Sequence, residues 1–147
     1  MTLTNHYLAG VAAGVLFKNP LIVMPIAFAS HFVLDSLPHY GIALNQKGRG
    51  DKIIKVSIID VLIFSIAITL TLFNYPNWYI LAGLVAYSPD LAWLYRFIFK
   101  ENFGKIPPGP ANKFNNWHEH IQKYERWWGV FVEISLASFL FFVLFVF

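Results

Sequence analysis

Four acidic residues of this chain sit inside four different apolar runs: Asp35 in 20–38, Asp60 in 53–73, Asp90 in 77–99 and Glu133 in 127–147. A carboxylate embedded in a membrane helix costs on the order of 3 kcal/mol unless it is neutralised, paired or bound to a metal. The runs have membrane length, since a hydrocarbon core of roughly 30 Å takes about 20 residues at about 1.5 Å each. With 57% hydrophobic and 13% charged residues among 147, the chain is also too apolar for an ordinary soluble domain. These features predict an all-α fold: an integral membrane bundle of about five helices, forming a single domain over 1–147.

The fifth segment is a shorter run at 6–18, "HYLAGVAAGVLF", rich in small residues. Its Gly10 and Gly14 form a GxxxG pattern that lets another helix approach closely. No Lys or Arg precedes it and Lys18-Asn19-Pro20 follows it, so it reads as a segment packed in the bundle and not as a signal peptide. An amphipathic stretch, 114–126, reads as a short interfacial helix before the last one.

Orientation follows from the basic residues. If the chain starts in the cytoplasm and crosses five times, every Lys and Arg except Lys18 falls on the cytoplasmic side, as the positive-inside rule expects. The expected location is the bacterial inner (cytoplasmic) membrane, multi-pass, with a cytoplasmic N-terminus. The net charge of +3 then belongs to topology and lipid contact, with membrane lipids as partners and no nucleic acid. Self-association into a homo-oligomer stays open. There is no cysteine, which removes disulfides, thiol nucleophiles and thiolate metal sites.

Depth gathers the ionisable residues. Counted at about 1.5 Å per residue from the cytoplasmic ends, Asp35 is near the boundary, Asp60 and Glu133 are roughly 10 Å in and Asp90 roughly 13 Å in. His31 and Asp35, at i and i+4, share one helix face. His6 opens the first run, and Pro38 ends the helix near His39, so the turn there decides whether His39 joins them. In "WHEH", a helix continuous from 114 to 147 would turn His118 closer to Glu133 than His120. Imidazole with carboxylate suits a divalent metal, zinc first, with manganese or iron as alternatives. The metal candidates are His6, His31, Asp35, His39, Asp90 and His118, with Glu133 and Asp60 as candidate general bases. A hydrogen-bonded His–Asp pair capping a helix end would use the same spacing.

The small-residue first segment opening on His6, "HFVLDSLPHYG" at 31–41 and "SPDL" at 88–91 together resemble the membrane-bound metal-dependent hydrolase-like proteins, the YdjM-like group of small bacterial membrane proteins. That resemblance implies a histidine/aspartate metal site on His6, His31, Asp35, His39 and Asp90. Of the "PDxDH" element of larger members, the chain keeps Pro89-Asp90. Two readings follow. One is a membrane-embedded, metal-dependent hydrolase acting on a lipid-like ester or phosphoester at the cytoplasmic leaflet. The other is a non-enzymatic membrane protein whose polar cluster is a structural metal site or part of an ion or proton path.

Overall fold

A computed structural model describes residues 1–40, 49–92, 109–122 and 124–146. Six α-helices lie among the described residues: α1 (Leu3–Phe17), α2 (Pro20–Asp35), α3 (Arg49–Asn74), α4 (Trp78–Tyr87), α5 (Pro110–Ile121) and α6 (Gly129–Phe145). A 3-10 turn, Ser88–Asp90, extends α4. Two-residue strands, β1 (His39–Tyr40) and β2 (Glu125–Arg126), pair in parallel with His39 opposite Glu125 and Tyr40 opposite Arg126.

The short first helix is the centre of the molecule, packing against α2, α3, α4 and α6. Its glycines make that possible. A Cβ on Gly10 would fall on the Ala82 carbonyl, 2.8 Å from both the Ala82 carbonyl carbon and Gly83 Cα, and one on Gly83 would strike the Tyr7 ring. At Gly14 the neighbour is softer, the Tyr79 ring at 3.2–3.4 Å. Alanines continue the close approach: Ala13, Ala27, Ala82 and Ala86 pack with Val23 between α1, α2 and α4. A second cluster, including Tyr7, Leu8, Val11, Ala67, Tyr79 and Leu144, joins α1 to α3, α4 and α6.

The link between α1 and α2 is tight for local reasons. Lys18 ends α1 in the left-handed conformation, φ 54°, with its N–H on Gly14 O at 3.0 Å. Asn19 then caps α2, its Oδ1 accepting from Leu21 N at 3.0 Å, and Pro20 occupies the first helical position.

Several sequence expectations change. Among the described residues, one helix is long and apolar enough to cross a membrane, over Lys55–Asn74; α1, α2 and α6 are apolar but have 15, 16 and 17 residues. The 77–99 run is not one helix through its described part. Pro89 brings no N–H to the helical ladder, and the chain tightens into the Ser88–Asp90 turn before Leu91 and Ala92 return to helix; residues 93–99 lie outside the described ones. The conditional continuous helix from 114 to 147 does not form, and the chain follows the other expectation, a short helix before the last one. The stretch divides into α5 and α6, because β2 pairs with β1 and Gly129 packs onto the His39 backbone too closely for any Cβ. The angular comparison of His118 and His120 with Glu133 therefore has no continuous helix to rest on.

Candidate metal centre

The C-terminal ends of α2 and α4 meet the N-terminal end of α1, and α5 closes over them. The spacing of Phe114, Trp117 and His118 puts all three on one face of α5. Phe32 of α2 receives that face, with ring centroids 6.2 Å from Phe114, 5.0 Å from Trp117 and 5.6 Å from His118. This aromatic clamp carries His118 to His31.

One ligand atom each from His31, Asp35, Asp90 and His118 lies within 4.8 Å of the others, a group that could hold a metal ion. His118 Nε2 stands 2.7 Å from Asp35 Oδ2 and 3.0 Å from His31 Nε2, while His31 Nε2 is 3.1 Å from Asp35 Oδ2 and 3.6 Å from Asp90 Oδ1. Ligands about 2.0–2.1 Å from a tetrahedral ion lie about 3.3 Å from one another, so the spacing is near that of a coordination shell. His31, Asp35 and His118 are fully buried.

The surrounding groups orient this donor set. His31 Nδ1 is 2.9 Å from Ala86 O. A carbonyl can only accept, so Nδ1 carries the proton and Nε2 presents its lone pair to the cluster, the arrangement in which histidine binds metal. Gln122 Nε2 donates to Asp35 Oδ2 at 2.9 Å, and the Met1 amine reaches Asp35 Oδ1 at 2.6 Å. The donor set therefore fits a divalent ion: two imidazole nitrogens, one of them with a fixed tautomer, beside two carboxylates.

The other sequence candidates divide. His6 is buried, stacked on His31 with ring centroids 4.0 Å apart, and its Nε2 is 3.2 Å from Asp35 Oδ1 and 3.9 Å from Asp90 Oδ2. His39 turns away. Its Nδ1 donates to Leu37 O at 2.8 Å and its Nε2 faces Glu125 at 3.9 Å; burial pushes its imidazole below the usual histidine range.

Asp60 and Glu133 are engaged with the start of α1. Asp60 accepts from Leu3 N at 2.8 Å, Thr4 N at 3.1 Å and Thr4 Oγ1 at 2.6 Å. Glu133 Oε1 accepts from Thr2 N at 3.0 Å, and Asn5 Nδ2 donates to Glu133 O at 3.2 Å. The first N–H groups of a helix lack intrahelical partners and carry the positive end of its dipole, so carboxylates from α3 and α6 cap α1 from outside. Asp60→Ala strands Leu3 N and Thr4 N, while the Thr4 hydroxyl keeps the Asp60 backbone carbonyl at 3.1 Å; a loss of about 1–3 kcal/mol is expected, measured by thermal unfolding.

Sequence reasoning missed Gln122 and the Ala86 carbonyl. Gln122 had a signal, lying four residues after His118 on the same helical face; a backbone oxygen supplied from another helix had none. No family model, curated protein or solved structure matches the chain.

Proposed function

We propose that this protein is a membrane-embedded hydrolase that uses a divalent metal to cleave an ester or phosphoester of a lipid-like substrate at the cytoplasmic leaflet. The observation that carries the proposal is the convergence of His31 Nε2, His118 Nε2 and Asp35 Oδ2 within 2.7–3.1 Å of one another, with the His31 tautomer fixed by Ala86 O. His31, His118, Asp35 and Asp90 would hold the ion. Gln122 would keep the Asp35 carboxylate in register. A divalent ion there supplies Lewis acidity, polarising a carbonyl or phosphoryl oxygen and easing deprotonation of water. Zinc, manganese and iron all suit such a set.

The membrane setting is supported by where polarity lies. The interior holds His6, His31, Asp35, Asn5 and His118, while the large apolar residues Ile58, Ile59, Leu62 and Ile66 of α3 and Phe131, Ile134 and Phe139 of α6 are more than half exposed. An exposed apolar surface of that extent requires a partner or a lipid solvent. Trp117, Trp127 and Trp128 are also exposed near α5 and the start of α6, a placement that suits the headgroup level.

A cavity of about 260 Å³ lies between α1, α3 and α6, and none of His31, Asp35, Asp90 and His118 lines it. Its walls include Val56, Ile59, Ile63, Ile134 and Ala137, with Asn5, Asp60 and Glu133 as polar lining. That volume is below the usual range of small-molecule pockets, about 300–1,000 Å³.

One specific observation favours the non-enzymatic reading. A single proton on His118 Nε2 could be shared between Asp35 Oδ2 and His31 Nε2, satisfying the cluster without an ion. The experiment is metal analysis of purified protein followed by assay of phospholipid and acylglycerol hydrolysis with and without chelator. Bound divalent metal, with turnover lost on chelation and restored by metal, is expected. Metal-free protein with no turnover after Zn²⁺, Mn²⁺ or Fe²⁺ addition would leave the cluster as proton-linked structure.

A further inference from the structure

The four-residue group leaves out His6, and His6 is the strangest buried side chain in the molecule. It is fully buried, yet neither Nδ1 nor Nε2 has a hydrogen-bond partner among the described residues. An imidazole keeps one N–H and one lone pair, and burying both without partners is costly. Its Nε2 is nevertheless 3.2 Å from Asp35 Oδ1. Two donor atoms that close, without hydrogen-bond alignment, are what results when both aim at a common third point.

The carboxylates say where that point lies. Asp35 offers Oδ2 to His31 and His118 and Oδ1 to His6. Asp90 divides in the same sense, with Oδ1 nearer His31 at 3.6 Å and Oδ2 nearer His6 at 3.9 Å. Each carboxylate thus presents one oxygen to each side. The His6 and His31 rings stack at 4.0 Å with an interplanar angle of 22°, so they approach the carboxylates as two nearly parallel ligands. Paired metal ions in hydrolytic sites stand about 3.5–4 Å apart, close to the ring separation.

We propose that the protein binds a second divalent transition-metal ion through His6 Nε2, Asp35 Oδ1 and Asp90 Oδ2, with Asp35 and Asp90 bridging it to the first. The inference rests on the metal-centre reading above and narrows the substrate. Two divalent ions sharing two carboxylates leave surplus positive charge, the complement of an anionic phosphoester. A neutral carboxylic ester has no charge to match it. The Met1 amine, 2.6 Å from Asp35 Oδ1, already brings positive charge to this oxygen, and the second ion competes with it there.

The test is metal stoichiometry of the full chain reconstituted with Mn²⁺, for wild type and His6→Ala, with electron paramagnetic resonance on the loaded wild type. Two ions per chain with an exchange-coupled spectrum are expected, falling to one ion and an isolated-ion spectrum in His6→Ala. If His6→Ala does not fold, the wild-type spectrum decides alone, since coupling requires adjacent ions. One ion per chain in the wild type overturns the second site and leaves the single-metal reading standing, while two that persist in His6→Ala overturn the site as assigned, because His6 is then no ligand. No bound ion at all overturns both.

Discussion

Asp35→Asn is expected to abolish metal binding and to lower the melting temperature in detergent by on the order of 10 °C. Asp35 receives the Met1 amine and Gln122 Nε2, pairs with His118, and lies within 3.2 Å of both His6 and His31. The amide is nearly isosteric, but it is neutral and turns one oxygen into a donor. One of those contacts must then become donor against donor. Removing one partner from a buried charged network costs about 3–5 kcal/mol, and a chain of this size loses about 2–4 °C per kcal/mol. His39→Gln is the control. Its ring faces Leu37 O and Glu125, so it should leave metal content unchanged. Metal analysis beside thermal unfolding reads both, and metal retained in Asp35→Asn would exclude Asp35 as a ligand.

That contrast between Asp35 and His39 marks what could be read from the sequence. The i, i+4 spacing of His31 and Asp35 survives folding because both lie within α2, whose geometry is local. His39 stands beyond Pro38, where a turn ends the helix and Leu37 O takes its Nδ1; a turn's exit direction is not carried by periodicity. The inward-facing carboxylates of four runs were equally legible as expensive groups needing partners. Which partners they take was not, because Asp60 and Glu133 bind backbone N–H groups of α1, and a backbone donor leaves no mark in the sequence. The division of the last helical stretch is foreshadowed by the amphipathic 114–126 segment, but what holds it was hidden for the same reason. It depends on β1–β2 pairing and on Gly129 against the His39 backbone, contacts about 90 residues apart in sequence.

Gly10→Ala is expected to be as damaging as the loss of Asp35, although it touches no polar group. The added methyl would overlap the Ala82 carbonyl and stand 2.8 Å from Gly83 Cα, and helical backbone cannot move aside as a side chain can. Overpacking a closed interior costs about 1–3 kcal/mol where neighbours can adjust and more where they cannot; here α1 and α4 must separate. The separation reaches the metal centre, because α1 carries His6 while α4 supplies Ala86 O and runs into the turn bearing Asp90. Metal affinity and melting temperature should therefore fall together. Gly14→Ala meets only the Tyr79 ring at 3.2–3.4 Å, a side chain able to yield by tenths of an ångström, so its loss should be clearly the smaller. Thermal unfolding of both variants with Mn²⁺ titration checks the order. Equal effects at the two glycines would mean that the α1–α4 contact is not the tight backbone approach that positions His6 beside Asp90.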